Sequence, residues 1–149
     1  MATIRAFRRS GKEMASLHAG VWGHQDEADT FATVKAALDA GINFFDNAEM
    51  YGGGAAEEVL GRALKASGYS RGDYYIATKV SESNLSASQV RQHAQASIDR
   101  MDCGYIDLYQ LHWASRAALR TAKYPERPLE QEVPLEETLR ALAELKAEP

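Results

Sequence analysis

Asp46, Tyr51, Lys79 and His112 are four side chains of complementary proton chemistry, and each falls at a comparable place in the sequence. Asp46 closes the short apolar run that starts at Ile42, and Tyr51 follows five residues later beside Gly52-Gly53-Gly54. Lys79 and His112 each close a later apolar run. A free phenol titrates near pH ~10, too weak an acid to be ideal at neutrality. A neighbouring ammonium favours the phenolate and strengthens the acid, and a carboxylate beside the lysine keeps that ammonium charged and oriented. An imidazole donor at a substrate oxygen adds electrostatic stabilisation, typically ~3 kcal/mol for one such donor. The four types together suit proton delivery to an oxygen on which charge develops. Each also has a plainer reading when taken alone. Asp46 could be a turn or N-cap residue, Tyr51 a half-buried surface aromatic, Lys79 a solvated strand end, and His112 a satisfied core histidine.

Repeated βα units would bring these residues to one place, because chemistry in such proteins sits at the C-terminal ends of the strands. Ile4 to Met14 reads as a hairpin about Arg9-Ser10-Gly11. Ser16 to Val21 reads as the first strand of the main sheet, running into Gly20-Val21-Trp22-Gly23. Asp26 is placed to cap a helix carrying Phe31, Val34 and Leu38 on one side, which Gly41 stops. Ile42 to Asp46 is the second strand. A helix from about Ala55 carries Ala56, Val59, Leu60, Ala63 and Leu64 at helical spacing, with Glu57 and Glu58 at its positive end and Gly68 as its stop.

Tyr74 to Lys79 is the third strand. Ser86 and Gln89 have capping-box spacing before a helix with Val90, Ala94, Ile98 and Met101 on one face, and Gly104 ends it. Tyr105 to His112 is the fourth strand. After a long connection, Pro134 opens a last helix with Glu136 and Glu137 in its first turn and Leu135, Leu139 and Leu142 as its apolar stripe. Alternating strands and helices predict an α/β fold with a parallel sheet and right-handed crossovers. No Gly-x-Gly-x-x-Gly follows the first strand, so a dinucleotide fold of the Rossmann kind lacks its phosphate site. A barrel fits better, yet a full (βα)8 barrel needs ~250 residues. The expected fold is therefore the N-terminal part of a (βα)8 TIM barrel, about four βα units preceded by a β-hairpin, forming a single incomplete domain over 1–149.

Composition narrows the function classes. The 149 residues are 45% hydrophobic without a long apolar run, which argues against a membrane span. A net charge of −4 carries no nucleic-acid footprint. The N-terminus lacks the apolar core of a signal peptide, which points to a cytoplasmic location. Cys103 is the single cysteine, so no internal disulfide and no cysteine metal site is expected, and no metal is invoked. With no paired base evident, Cys103 reads as a packed helix-end residue. Asp107 and Gln110 are expected to face the barrel interior. Arg116, Arg120, Lys123 and Arg127 form either a solvated loop face or a phosphate lid.

The segments Gly41-Ile-Asn-Phe-Phe-Asp-Asn-Ala-Glu-Met-Tyr-Gly52, Ile76-Ala-Thr-Lys-Val80 and Tyr105-Ile-Asp-Leu-Tyr-Gln-Leu-His-Trp113 resemble the aldo/keto reductase family. The first of them is similar to the potassium-channel β-subunit branch and its bacterial relatives. The resemblance implies an NADP-dependent oxidoreductase that reduces aldehydes or ketones to alcohols by hydride transfer. It implies that Tyr51 is the proton donor, Lys79 the lysine that activates it, Asp46 the carboxylate paired with that lysine, and His112 the residue orienting the carbonyl. Gly20 and Trp22, with Asp46, are implied to lie near the NADP(H) nicotinamide.

The sequence also departs from the family pattern. His18, Ala19 and Val21 stand where the family usually has Gly, an aliphatic residue and Thr. Beyond Lys146-Ala-Glu-Pro149 the family continues into four more βα units, which hold the rest of the nucleotide. The chain is accordingly expected to be truncated and inactive as a monomer, with open sheet edges that invite self-association. A non-catalytic half-barrel, acting in assembly or regulation like the channel β subunits, is the alternative.

Overall fold

The computed structural model describes residues 16–18, 27–113 and 133–147. Its strands are β1 (Ser16–His18), β2 (Phe44–Asp46), β3 (Tyr75–Val80) and β4 (Leu108–Leu111). Its helices are α1 (Glu27–Asp39), α2 (Ala55–Ala66), α3 (Ala87–Met101) and α4 (Leu135–Ala147). The four strands form one parallel sheet in the order β1-β2-β3-β4, so each crossover returns the chain beside the strand it has just left. The helices pack in the same succession, α1 on α2, α2 on α3 and α3 on α4. The expected hairpin over Ile4–Met14, the cap at Asp26, and Gly20 and Trp22 lie outside the described residues, as do the basic residues between Arg116 and Arg127.

β2 and β4 are shorter than the apolar runs that announced them, while β3 keeps its expected length one residue later. Ile42 closes α1 instead of entering β2. Its N–H donates to Ala37 O at 2.9 Å and the Gly41 N–H to Leu38 O at 2.9 Å, which satisfies the last carbonyls of the helix. Gly41 makes this turn at φ +84. At the end of α3 the equivalent left-handed position is held by Asp102 (φ 46), not by the expected Gly104. Asp102 N bonds Asp99 O and Cys103 N bonds Ile98 O, so the two helices end alike with different residues.

Alternation along the strands divides the sheet into two faces. Phe45, Ile76, Val80 and Tyr109 join the hydrophobic cluster under the helices, together with Leu60, Leu64, Val90, Ile98, Met101 and Leu145. The opposite face carries Asp46, Lys79 and Gln110, which bond one another. α2 and α3 approach so closely that a Cβ on Gly61 would stand 2.2 Å from the Met101 carbonyl oxygen.

Two helices are rotated somewhat from the orientation their pattern suggests. α2 buries Glu57 and Gly61 along with Leu60, Ala63 and Leu64, leaving Ala56 and Val59 only half-buried. α4 buries Thr138, Ala141 and Leu145, while Leu135 and Leu139 stand 44% and 51% exposed. The orientation of α4 is fixed by polar contacts to the neighbouring layer. Thr138 Oγ1 donates to Leu85 O at 2.8 Å, and the Glu137 carboxylate accepts from the Ala87 N–H at 2.9 Å at the start of α3.

Candidate active site

Asp46 is the last residue of β2, Lys79 the penultimate residue of β3, and His112 the residue after β4. Parallel pairing aligns these ends, with Lys79 opposite Gln110 in the ladder. Lys79 Nζ donates to Asp46 Oδ2 at 2.7 Å and to the Asn47 carbonyl at 2.8 Å. Gln110 Nε2 reaches Asp46 Oδ1 at 3.4 Å. The lysine and aspartate side chains are 15% and 21% exposed, so the pair is shielded yet open at one end.

Tyr51 has no strand to hold it. It opens a tight turn, Tyr51–Gly54, in which Gly52, Gly53 and Gly54 take φ of 60, 64 and 101. Only glycine accepts three such values in succession without strain. Gly54 is constrained a second time, because a Cβ there would lie 2.8 Å from Arg100 Cδ. The turn returns the Tyr51 ring over the strand ends. Lys79 Nζ lies 5.4 Å from its centroid, and the His112 ring meets it edge-on at 5.6 Å. Trp113 in turn stacks on His112 at 6.0 Å. The four sequence-predicted residues therefore share one mouth of the sheet, while the described residues do not include the expected partners Gly20 and Trp22.

His112 is electrostatically distinct. Burial, and then the Lys79 ammonium, lower its pKa below the ordinary histidine value, so the ring is neutral at pH 7. Its Nδ1 is buried with no partner among the described residues. A buried N–H without an acceptor is rarer and costlier than an under-used acceptor, so the single ring proton is assigned to Nε2. That assignment leaves a neutral N–H donor beside a phenol and an ammonium.

Sequence reasoning missed a polar layer behind this mouth. The Glu49 carboxylate, 8% exposed, accepts from the Ser81 N–H at 2.6 Å and from Asn84 Nδ2 at 2.9 Å, and pairs with His93 Nδ1 at 2.6 Å. Glu57, placed by the sequence at the positive end of the helix, is fully buried. It accepts from Thr78 Oγ1 at 2.5 Å and from Arg100 Nε at 2.6 Å. Tyr109 OH, buried nearby, has no partner among the described residues, and burial followed by the charges of Glu49 and Glu57 raises its pKa. A buried carboxylate needs a cation or several donors, but these partners are far away in sequence, and helical periodicity carries no sign of them.

One expectation needs correction. Asp107 and Gln110 are three apart and cannot share one face of a strand. Gln110 lies with Asp46, whereas Asp107 precedes β4 and accepts from Arg71 Nη2 at 2.6 Å and from the Ile76 N–H at 2.8 Å, near the start of β3. Cys103 is a packed thiol as expected, its pKa raised to about 11 chiefly by burial.

The sequence profile described as "Aldo/keto reductase family" matches residues 15–148. A probable voltage-gated potassium channel subunit beta of Oryza sativa subsp. japonica is 34% identical over 145 residues, covering 90% of this chain and 40% of the relative. An aldo-keto reductase of Bacillus subtilis is 34% identical over 133 residues, covering 84% of this chain and 35% of the relative. Among solved structures, the thermostable aldo-keto reductase Tm1743, in complex with the inhibitor epalrestat, superposes with a TM-score of 0.70 at 30% identity. That likeness covers 91% of this chain and 46% of that protein. An aldo-keto reductase from Klebsiella pneumoniae in complex with NADPH gives a TM-score of 0.70 at 28% identity, over 89% of this chain and 40% of that protein. The chain thus spans about 40% of the length of the first relatives it matches.

Proposed function

The chain belongs to the aldo/keto reductase family, and from that premise we propose that its site serves the NADPH-dependent reduction of an aldehyde or ketone to an alcohol. The observation that carries the reading is the junction of Tyr51, Lys79, Asp46 and His112 at one mouth of the sheet. In this reading Tyr51 delivers the proton to the carbonyl oxygen. Lys79, held by Asp46, supports the phenolate that this transfer leaves behind. His112, neutral and protonated at Nε2, donates to the carbonyl oxygen and orients it.

The donor set fits a nicotinamide, since phenol, ammonium and neutral imidazole all answer charge developing on a substrate oxygen. Asp46, with Gly20 and Trp22, would hold its ring end, and the reduced ring would supply the hydride there. Trp113 and Met50, 49% and 48% exposed, flank the mouth and favour a substrate with an apolar body. β1 and β4 are the edges of the sheet among the described strands, and pairing of such an edge with another copy belongs to the proposal.

The likeness to a potassium-channel β subunit supports a second reading, in which the domain serves assembly or regulation without turnover. One experiment separates the two. The purified chain is resolved by size exclusion, and each fraction is assayed for NADPH fluorescence enhancement and for NADPH oxidation with a reactive aldehyde. Enhancement with oxidation, strongest in associated fractions, is expected. Enhancement without oxidation in every fraction favours the second reading, and absence of both counts against the reductase assignment.

A further inference from the structure

We propose that Glu49 is a positioning residue for Tyr51, and that His93 on α3 completes its hold. The proposal rests on reading Tyr51 as the proton donor. Tyr51 sits between a loop and a run of glycines, at the start of a tight turn and outside any strand. The loop before it follows the edge of β3 through backbone bonds, beside the Lys79 Nζ bond to the Asn47 carbonyl. Asn47 N donates to Ala77 O at 2.9 Å and Glu49 N to Lys79 O at 3.3 Å. These bonds fix the path of the loop up to Glu49, and beyond it Tyr51 N donates to Ala48 O at 3.0 Å, so the turn bearing the phenol hangs on the same short segment.

The Glu49 side chain anchors that segment from a second side. Its Oε1 takes the Ser81 N–H and Asn84 Nδ2, both just beyond β3, and its Oε2 takes His93 Nδ1 on α3. Asn84 Nδ2 and His93 Nδ1 are themselves 3.3 Å apart, so the three groups close a triangle around the carboxylate. One buried carboxylate thereby ties the Tyr51 loop to the end of β3 and to a helix 44 residues later. It does so two residues from the phenol. The core does not depend on it, since β3 and α3 are joined independently through Ile76, Val80, Val90, Ala94 and Ile98. Loss of the tether should therefore loosen the Tyr51 loop more than it loosens the fold.

The test compares Glu49→Ala, Glu49→Gln and His93→Ala in the full chain. The first readout is the nuclear Overhauser contact between the Tyr51 and His112 rings, which requires no turnover. The second is steady-state carbonyl reduction with NADPH. Glu49→Ala is expected to lose the ring contact and to lower kcat about tenfold to hundredfold with little change in the nucleotide KM. Glu49→Gln keeps an acceptor for Ser81 and Asn84 and can donate to an unprotonated His93 Nδ1, so it should recover most of both signals. His93→Ala frees only the helix end of the tether and should weaken the contact partially. It also keeps the test open should Glu49→Ala fail to fold. An unchanged Tyr51–His112 contact in His93→Ala, or a Gln variant no better than Ala, overturns the proposal. A wild-type chain that shows the ring contact but no turnover bears on the reductase reading and leaves the positioning result readable.

Discussion

Each end of the sheet holds a shielded cation–carboxylate pair, and the two pairs are built to opposite effect. At the C-terminal end Lys79 meets Asp46 at 2.7 Å; at the N-terminal end Arg71 meets Asp107 at 2.6 Å. Their side chains are comparably covered, 15% and 21% exposed against 20% and 9%. Arg71 is saturated. It also donates to the carbonyls of Cys103, Tyr74 and Tyr105, and its guanidinium lies 3.7 Å from the Tyr105 ring centroid and 5.2 Å from that of Tyr74. A planar fork of five donors suits such a closed clamp. Lys79 is a point charge facing a phenol and a neutral imidazole, with partners on one side only. The arginine end is closed by backbone carbonyls and aromatic rings, whereas in the proposed function the lysine end keeps a charge for proton transfer, at the strand ends where βα barrels place their chemistry.

Mutation at each end should separate these roles. The largest effect belongs to the upper end. Tyr51→Phe should lower carbonyl reduction ~10²–10⁴-fold while leaving NADPH affinity and thermal stability near wild type. Lys79→Met should act in the same direction. Both are read by steady-state kinetics beside a nucleotide titration, and wild-type turnover by the Phe variant would remove Tyr51 from proton transfer.

The lower end should answer in stability. Arg71→Met leaves a buried carboxylate without its cation and three carbonyls without the guanidinium, at a cost of ~3 kcal/mol in a urea or thermal melt. Turnover per folded molecule should hold. A variant that melts like wild type would show that the clamp is ornamental.

Cys103 reports on that same end. With its pKa raised from 9.0 to about 11, the folded thiol carries ~100-fold less thiolate near pH 8 than an unfolded one. Alkylation by iodoacetamide should be slower by at least that factor.

The smallest effect concerns His112. Its folded pKa lies below 6.5, so as pH falls through 6.5 the unfolded chain takes up a proton that the folded chain still refuses. Stability therefore declines with falling pH until the folded ring also protonates. His112→Asn should flatten that portion of the profile between about pH 7 and pH 5. An unchanged slope in the Asn variant would show that other groups produce it.

The upper end was the more legible of the two from sequence. Asp46, Lys79 and His112 each close an apolar run, and the parallel sheet needs only to align those run ends. The clamp was not legible, because Arg71 lies in a short turn and its partner Asp107 comes 36 residues later. Glu49 and Glu57 were missed for the same reason. A glutamate beside a helix start reads as a solvated, dipole-favoured charge, and only the arrival of Arg100, 43 residues on, makes a buried Glu57 tolerable. α4 shows the limit of periodicity. Its leucines mark one stripe, yet Thr138 and Glu137 bond the neighbouring layer and turn that stripe partly outward. Apolar spacing identifies an element and its period, but specific polar contacts decide its final rotation.

The strand order β1-β2-β3-β4 also imposes a sequence in time. Every sheet contact joins a strand to the one made just before it, so no strand waits for a distant partner, and loop closure stays short. The Lys79–Asp46 pair can form as soon as β3 is in place, whereas the Arg71 clamp waits for Tyr105 and Asp107. On a ribosome adding ~5–20 residues per second, Asp46 emerges several seconds before His112. The arginine clamp closes at the entrance to β4 and His112 stands at its exit, so the event that locks the last strand also delivers the imidazole to a lysine and phenol already waiting.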